Sequence, residues 1–189
     1  MNSSTLLIPS TSIPYTAQEQ SILDARTARI SHFSQVPWQY LSTHTFSRPV
    51  GQQDEYPLRL WKDYIDEIGD YHRDTIGYLW SMERRDPHDE YGLIRPHFHA
   101  LWVSPRPLDT RMMEDSWKHV AGNGGNPVLI APFDETEAGL EYVLKVADHP
   151  DCSWDFSSNL SFFMPCPPDV STAQARRRLR RHQLRLLKA

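Results

Sequence analysis

Several features that are common in other classes of protein are missing from this chain. Its 189 residues include only 2 cysteines, Cys152 and Cys166, too few for a disulfide framework, so we expect reduced thiols and a cytoplasmic location. No apolar run approaches the roughly 20 residues of a membrane-spanning helix. Residues 1–12 lack the positive region and the apolar core of a secretory signal. These absences favour a globular protein with no membrane partner.

The charges of the chain are unevenly distributed. The segment 173–189 contains no acid and seven cations, Arg176, Arg177, Arg178, Arg180, Arg181, Arg185 and Lys188. The rest of the chain has 13 basic and 24 acidic residues, a balance of −11. A body this acidic does not bind duplex DNA non-specifically, so any contact with nucleic acid must be local or must use the tail or a metal ion.

The basic tail has three possible roles. We predict that five of its cations, Arg176, Arg177, Arg178, Arg180 and Arg181, contact a DNA backbone. A helix that docks on a partner protein and a solvated run of charge are the alternatives.

Local patterns predict an α+β fold. We predict strands over residues 40–46, 75–84, 95–104 and 127–133, and helices over residues 17–33, 58–71, 110–121 and 136–147. Asp109 is the expected N-cap of the third helix. Residues 1–16 are expected to be an irregular arm, and residues 152–164 are aromatic and irregular in pattern.

The order of these elements indicates a known sheet topology. From residue 40 onwards the order β-α-β-β-α-β, followed by a helix, is that of a ferredoxin-like antiparallel sheet. Such a sheet has helices on one face and leaves the other face partly open. We divide the chain into an arm and helix over residues 1–33, a core domain over residues 34–165 and a basic tail over residues 166–189.

Two histidines in the third predicted strand are the first candidate for chemistry. His97 and His99 are separated by one residue, so their side chains point to the same face of a strand. Two imidazoles side by side provide half of a metal site, although such a pair is also expected by chance roughly 0.4 times in a chain of this composition. Glu83, in the preceding strand, can lie opposite either histidine if the two strands form a hairpin. The alternative is an exposed Glu83 paired with a nearby arginine.

A tyrosine and a lysine stand out in the last predicted helix. Leu140, Val143 and Leu144 form an apolar stripe at helical spacing. Tyr142 and Lys145 are three residues apart and lie together on the opposite face. They are either a surface pair without a special role or part of a site that includes the histidine pair.

These three motifs resemble those of one enzyme family. Tyr40-Leu41-Ser42-Thr43-His44-Thr45-Phe46, then His97-Phe98-His99, then Tyr142-Val143-Leu144-Lys145 resemble the motifs of HUH endonucleases. The most similar branch is the rolling-circle replication initiators of bacterial plasmids and phages. The resemblance covers residues 36–163 and implies that residues 34–165 form a HUH endonuclease domain.

The resemblance implies a complete set of roles. His97, His99 and Glu83 would hold Mg²⁺ or Mn²⁺, and Mn²⁺ suits mixed imidazole and carboxylate ligands better. Tyr142 would be the nucleophile and would form a covalent 5′-phosphotyrosine bond with DNA. A free phenol has a pKa near 10, so it needs cations nearby, and the metal and Lys145 would supply them. The expected activity is site-specific nicking and joining of single-stranded DNA at an origin or hairpin.

Three other functions remain open. A single-tyrosine transposase of the same superfamily shares the histidine pair and the helical tyrosine. Two histidines and a carboxylate also describe a non-haem iron oxygenase. A catalytically silent DNA-binding module is the third. The chain has no Gly-x-x-x-x-Gly-Lys-Ser/Thr loop, so a replication initiator of this kind would depend on a separate helicase from the host or the element.

Overall fold

The computed structural model describes residues 16–46, 55–72, 75–83, 96–122, 128–135, 139–145 and 152–164. The described elements are α1 (Ala17–Phe33), β1 (Tyr40–Thr45), α2 (Tyr56–His72), β2 (Gly77–Glu83), β3 (His97–Val103), α3 (Thr110–Val120), β4 (Val128–Pro132), α4 (Gly139–Lys145), β5 (Ser153–Phe156) and a 3₁₀ helix (Ser158–Phe162). The irregular arm and the basic tail that the sequence predicts lie outside the described residues, apart from Thr16 at the end of the arm.

The strands form one antiparallel sheet in the order β4-β1-β3-β2-β5. The four strands β4-β1-β3-β2 have the ferredoxin-like arrangement, so the predicted α+β fold is confirmed. Strand β3, which contains the histidine pair, lies at the centre with β1 on one side and β2 on the other. Both neighbours therefore place side chains beside the two histidines.

One face of the sheet is covered by α2 and α3. Helix α2 buries Leu60, Trp61, Tyr64 and Ile68, a spacing of three and four residues that gives one apolar stripe. Helix α3 begins as predicted, since the Asp109 side chain accepts a hydrogen bond of 3.1 Å from the Met112 amide. This face holds the larger, mostly aromatic part of the core.

The second face is covered by α1 and α4 over a smaller apolar cluster. Thr16 and Glu19 form a capping box that fixes the start of α1. Phe33, at its end, is buried against the cluster. The expectation of helices on one face is therefore incomplete, because α1 and α4 pack on the face that we expected to be partly open. The histidine pair lies on this second face.

Residues 152–164, which we predicted to be irregular, contain a strand and a 3₁₀ helix. Strand β5 pairs with the outer side of β2, with Trp154 opposite Ser81. Four residues are too few to show a periodic pattern, and the strand exists because β2 offers an unpaired edge. The 3₁₀ helix packs over the start of β2, where Gly77 has no room for a side chain, since a Cβ there would lie 2.6 Å from Val103 and 2.8 Å from Leu160.

Candidate metal and nucleophile site

The histidine pair lies side by side on β3. The two imidazole rings are nearly parallel, with centroids 6.4 Å apart. His99 is buried, with 4% of its surface exposed, whereas His97 is partly exposed nearer the start of the strand. The pair therefore extends from solvent into the interior of the second face.

Two threonines of β1 hold the rings in place. Thr43 lies opposite His99 and Thr45 lies opposite His97. Their hydroxyls are 3.1 Å and 3.0 Å from the Nδ1 atoms of the two rings. In the tautomer with the proton on Nδ1, each ring donates to its threonine and keeps a lone pair on Nε2. Metal-binding histidines are commonly oriented by such a bond from the other ring nitrogen.

Glu83 lies on the other side of the pair, at the end of β2. The register puts it directly opposite His97, so its predicted placement on the histidine face is confirmed. Its Oε2 atom is 3.6 Å from Nε2 of His99, within reach of an ion pair but too long for a hydrogen bond. Two imidazoles and one carboxylate thus meet on one face of a three-stranded ladder.

The surroundings of Glu83 favour its charged form. The adjacent His99 side chain is the main cause that lowers the pKa of Glu83, and the charges of Lys145 and the two imidazoles act in the same direction. Partial burial opposes them but does not reverse the shift. The carboxylate is therefore ionised at neutral pH and available to a cation.

Helix α4 brings the predicted nucleophile over the histidine pair. Leu140, Val143 and Leu144 are buried against the sheet, as the apolar stripe predicts. Tyr142 is 40% exposed, and its ring packs edge-on against the His99 ring with centroids 4.6 Å apart. The Nζ atom of Lys145 lies 3.9 Å from the centre of the Tyr142 ring. The five catalytic and metal-binding residues predicted from the sequence therefore lie in one cluster.

The buried Nε2 atom of His99 is the observation that best supports a divalent cation at this site. Nε2 of His99 is buried and has no hydrogen-bond partner among the described residues. A buried nitrogen without a partner is costly, and a cation held between it and the Glu83 carboxylate would satisfy both. No group of three or more His, Cys, Asp or Glu side chains in the described part of the chain is arranged to hold a metal ion as it stands. Glu83 approaches one of the two histidines, His99.

Several other predicted residues cannot be placed. The arginines of the tail, and with them the predicted DNA contacts, lie outside the described residues. Another tyrosine of the sheet, Tyr78, packs on the face opposite the histidine pair, against Trp102. Burial raises the pKa of Tyr78, as do Asp155 and Asp66, which makes it a poor nucleophile.

Thr43 and Thr45 are site residues that were not predicted from the sequence. Thr43 and Thr45 alternate in β1 in the same way as the histidines alternate in β3, and the ferredoxin-like order makes β1 and β3 neighbours. The matching alternation of two polar side chains on adjacent strands is the signal that could have identified them.

His44, between the two threonines, has a different environment. Its side chain points to the opposite face and is fully buried among the rings of Trp61, Tyr64 and Trp117, with centroids 4.9 to 5.0 Å away. Its Nε2 atom is 2.9 Å from the Ser42 hydroxyl, while Nδ1 has no hydrogen-bond partner among the described residues. Burial is the main cause that lowers the pKa of His44, to about 3. His44 is therefore a neutral core residue and not a member of the site.

Comparisons with protein-family models, with curated proteins and with solved structures gave no match for this chain. Among the residues that the structure describes, no helix has the length and apolar character needed to cross a membrane.

Proposed function

We propose that this chain is a HUH-type endonuclease that nicks and joins single-stranded DNA to start rolling-circle replication. The observation that carries the proposal is the contact of the Tyr142 ring with His99, 4.6 Å between centroids, beside Glu83 and beneath Lys145. A surface tyrosine without a special role is not expected to pack against a buried histidine whose Nε2 atom has no hydrogen-bond partner among the described residues.

A divalent cation is part of the proposal. His97, His99 and Glu83 are the residues that would hold it, and when bound it would polarise the scissile phosphate and stabilise the leaving oxygen. The donors are two imidazoles and one carboxylate, a mixed set that suits Mn²⁺ better than Mg²⁺. Thr43 and Thr45 contact the Nδ1 atoms of the two rings, a contact that would orient them and leave Nε2 as the ligating atom.

Tyr142 carries out the nucleophilic step in this proposal. Its phenolic oxygen attacks the scissile phosphorus as the bond to the 3′ oxygen breaks, so a 5′-phosphotyrosine bond replaces the phosphodiester. The phenolic proton is lost to the surroundings, and the departing 3′ oxygen gains one. Because the reaction exchanges one phosphodiester for another, the free 3′-hydroxyl can later attack the phosphotyrosine and rejoin the strand.

Lys145 supports this step through its position. Its ammonium group lies 3.9 Å from the centre of the Tyr142 ring, where a cation is attracted to the face of the ring. The same positive charge would attract the phosphate. The charge of Lys145 also helps to lower the pKa of Glu83, so it favours the ionised carboxylate that the cation would need.

The substrate follows from access and charge. Tyr142 is accessible on the surface of a short helix, yet the phosphorus must come close to a partly buried histidine pair. A flexible single strand can bend into such a site more easily than a duplex can. The acidic body, with a balance of −11 outside the tail, restricts binding to local contacts, and we assign the main backbone contacts to the arginines of the tail.

The rival functions fit the site less well. A non-haem iron oxygenase uses two histidines and a carboxylate but has no use for a tyrosine and lysine packed over them. A silent DNA-binding module would not need the metal ligands and the tyrosine together. A single-tyrosine transposase would use the same residues. The products of reaction with a replication origin and with a transposon end would distinguish a transposase from an initiator.

A gel assay with labelled single-stranded oligonucleotides tests the proposal. The chain with Mn²⁺ is expected to produce a slow-migrating covalent adduct, and Tyr142→Phe is expected to remove both the adduct and the nick. Tyr71→Phe is the matched control, since Tyr71 is an exposed helical tyrosine far along α2. An adduct that persists in Tyr142→Phe contradicts the assignment of the nucleophile.

A further inference from the structure

Two buried serines, on the strands that flank β3, differ in their hydrogen bonding. Ser42 in β1 and Ser81 in β2 both have 0% of their surface exposed. The Ser42 hydroxyl is 2.7 Å from Nε1 of Trp102, which donates to it, and 2.9 Å from Nε2 of His44. The Ser81 hydroxyl has no hydrogen-bond partner among the described residues. Of these two serines, Ser81 is therefore the one whose buried hydroxyl is unsatisfied.

Ser81 lies on the same face as the histidine pair. The register puts it directly opposite His99 on one side and opposite Trp154 on the other. Glu83, two residues further along β2, shares this face. Because Thr43 contacts the Nδ1 atom of His99 from the β1 side, the Nε2 atom faces β2, the strand that contains both Ser81 and Glu83.

Two unpartnered polar atoms thus occur on directly opposed residues. Nε2 of His99 and Oγ of Ser81 are both buried, and neither has a hydrogen-bond partner in the described part of the chain. If Ser81 only filled space, alanine at this position would give at least the same stability, because a buried hydroxyl without a hydrogen-bond partner destabilises the fold. Two such atoms beside one carboxylate point to a ligand that uses both.

We propose that the Ser81 hydroxyl is a further oxygen donor of the divalent cation site, acting together with His99 and Glu83. This inference rests on the proposed function, since it takes the cation of that site as the ligand. A hydroxyl oxygen is a hard donor, and it increases the oxygen share of a site that otherwise has two imidazole nitrogens. It therefore favours Mg²⁺ and Mn²⁺ over cations that prefer nitrogen and sulfur.

Titration calorimetry of the full chain with Mn²⁺, without DNA, tests the inference directly. Ser81→Ala is expected to raise the Mn²⁺ dissociation constant at least about tenfold, since even residues that only support the ligands contribute about 10- to 100-fold. Ser42→Ala is the matched control, an equally buried strand serine that faces the other way, and it is expected to leave Mn²⁺ affinity unchanged. Thermal unfolding in chelator shows that both variants are folded.

Replacing the donor atom of Ser81 distinguishes direct metal binding by this residue from an effect of the substitution on packing. Ser81→Cys replaces the oxygen by a sulfur at a similar position. It is expected to lose Mn²⁺ affinity as Ser81→Ala does, and its Cd²⁺ dissociation constant is expected to be lower than that of the parent chain by about tenfold or more. A purely structural effect of the substitution would change both affinities in the same direction. The sulfur-to-cadmium charge-transfer absorption, read against the parent chain, reports the new bond.

The outcomes distinguish this inference from the proposed function. If the parent chain binds Mn²⁺, His99→Ala weakens the binding and Ser81→Ala does not, then the role of Ser81 is wrong and the metal site stands. If the parent chain does not bind Mn²⁺ at all, both the metal site and the role of Ser81 are wrong. Weaker Mn²⁺ binding in Ser81→Ala together with tighter Cd²⁺ binding in Ser81→Cys supports the inference.

Discussion

His44 makes the stability of the fold depend on pH in a way that one substitution can reveal. The imidazole is fully buried among three aromatic rings, and its pKa is lowered from 6.5 to about 3 by burial, with a smaller contribution from His99. In the unfolded chain the same imidazole is solvated and binds a proton below about pH 6.5. The unfolded state therefore binds more protons than the folded state between these two pKa values, and stability falls as the pH falls.

The size of the effect follows from the two pKa values. At pH 5 the cost of keeping His44 neutral is about 2 kcal/mol, and at pH 4 it is about 3 kcal/mol. At pH 8 there is no cost, because the imidazole is neutral in both states. Since small domains are stable by only about 5 to 15 kcal/mol, the loss at pH 5 is a substantial fraction of the total.

His44→Leu removes the titrating group and keeps the site apolar. The variant loses the contact with the Ser42 hydroxyl, which still has Trp102 as a donor, so at pH 8 it is expected to be less stable by about 1 kcal/mol. Between pH 8 and pH 5, however, its stability should fall by about 2 kcal/mol less than that of the parent chain. Other groups that titrate, Glu83 among them, are common to both proteins and cancel in the comparison.

Urea unfolding at pH 8, 7, 6 and 5 measures the difference. The two stability curves are expected to converge as the pH falls and to cross near pH 5 to 6. The His44 imidazole signals in an NMR titration should not shift between pH 7 and pH 5. Curves that stay parallel over this range, or an imidazole that titrates near pH 6.5, would show that His44 is not held neutral by burial.

Other variants test the site and the tail. Chelator should abolish cleavage and Mn²⁺ should restore it. Alanine at either histidine of the pair should reduce the cleavage rate more than Glu83→Ala does, because two imidazoles can still hold an ion when Glu83 is removed. Full activity of Glu83→Ala with unchanged metal affinity would show that the third ligand lies elsewhere. Thr43→Val should weaken Mn²⁺ binding by about 10-fold while Thr43→Ser keeps it, because only the hydroxyl fixes the His99 ring; equal binding by the two variants would count against that role. Deleting residues 173–189 should weaken the salt dependence of binding to single-stranded DNA. The slope of log affinity against log salt should become smaller in magnitude by about 2 to 3, given about 0.7 for each phosphate contact. An unchanged slope would favour a tail that docks on a partner protein or is simply solvated.

The sequence predicted the main elements of the fold because most of them have strong local signals. The aromatic and aliphatic spacing of α2 and the Asp109 cap of α3 depend on residues close together in the chain. Strand β5 has no such signal, since four residues with two aromatics have no period to read. It is defined by its pairing with β2, in which the paired residues nearest in sequence, Met82 and Ser153, are 71 positions apart.

The candidate site was predictable to the extent that its residues have distinctive spacing. The alternation of His97 and His99, and the three-residue separation of Tyr142 and Lys145, are visible without a structure. Ser81 is different because its importance lies in a missing hydrogen bond, which only the packing around it can reveal. His44 shows the converse, since it lies in a motif of polar residues yet points into the aromatic core.

The central claim is that Tyr142 becomes covalently joined to DNA at a site assembled by the histidine pair. Mass spectrometry of the protein after reaction with a cleavable single-stranded oligonucleotide and Mn²⁺ tests it most directly. A nucleotide adduct is expected on the peptide that contains Tyr142, and it should be absent when His99 is replaced by alanine. An adduct on any other tyrosine, or cleavage that leaves no covalent intermediate, would contradict the account.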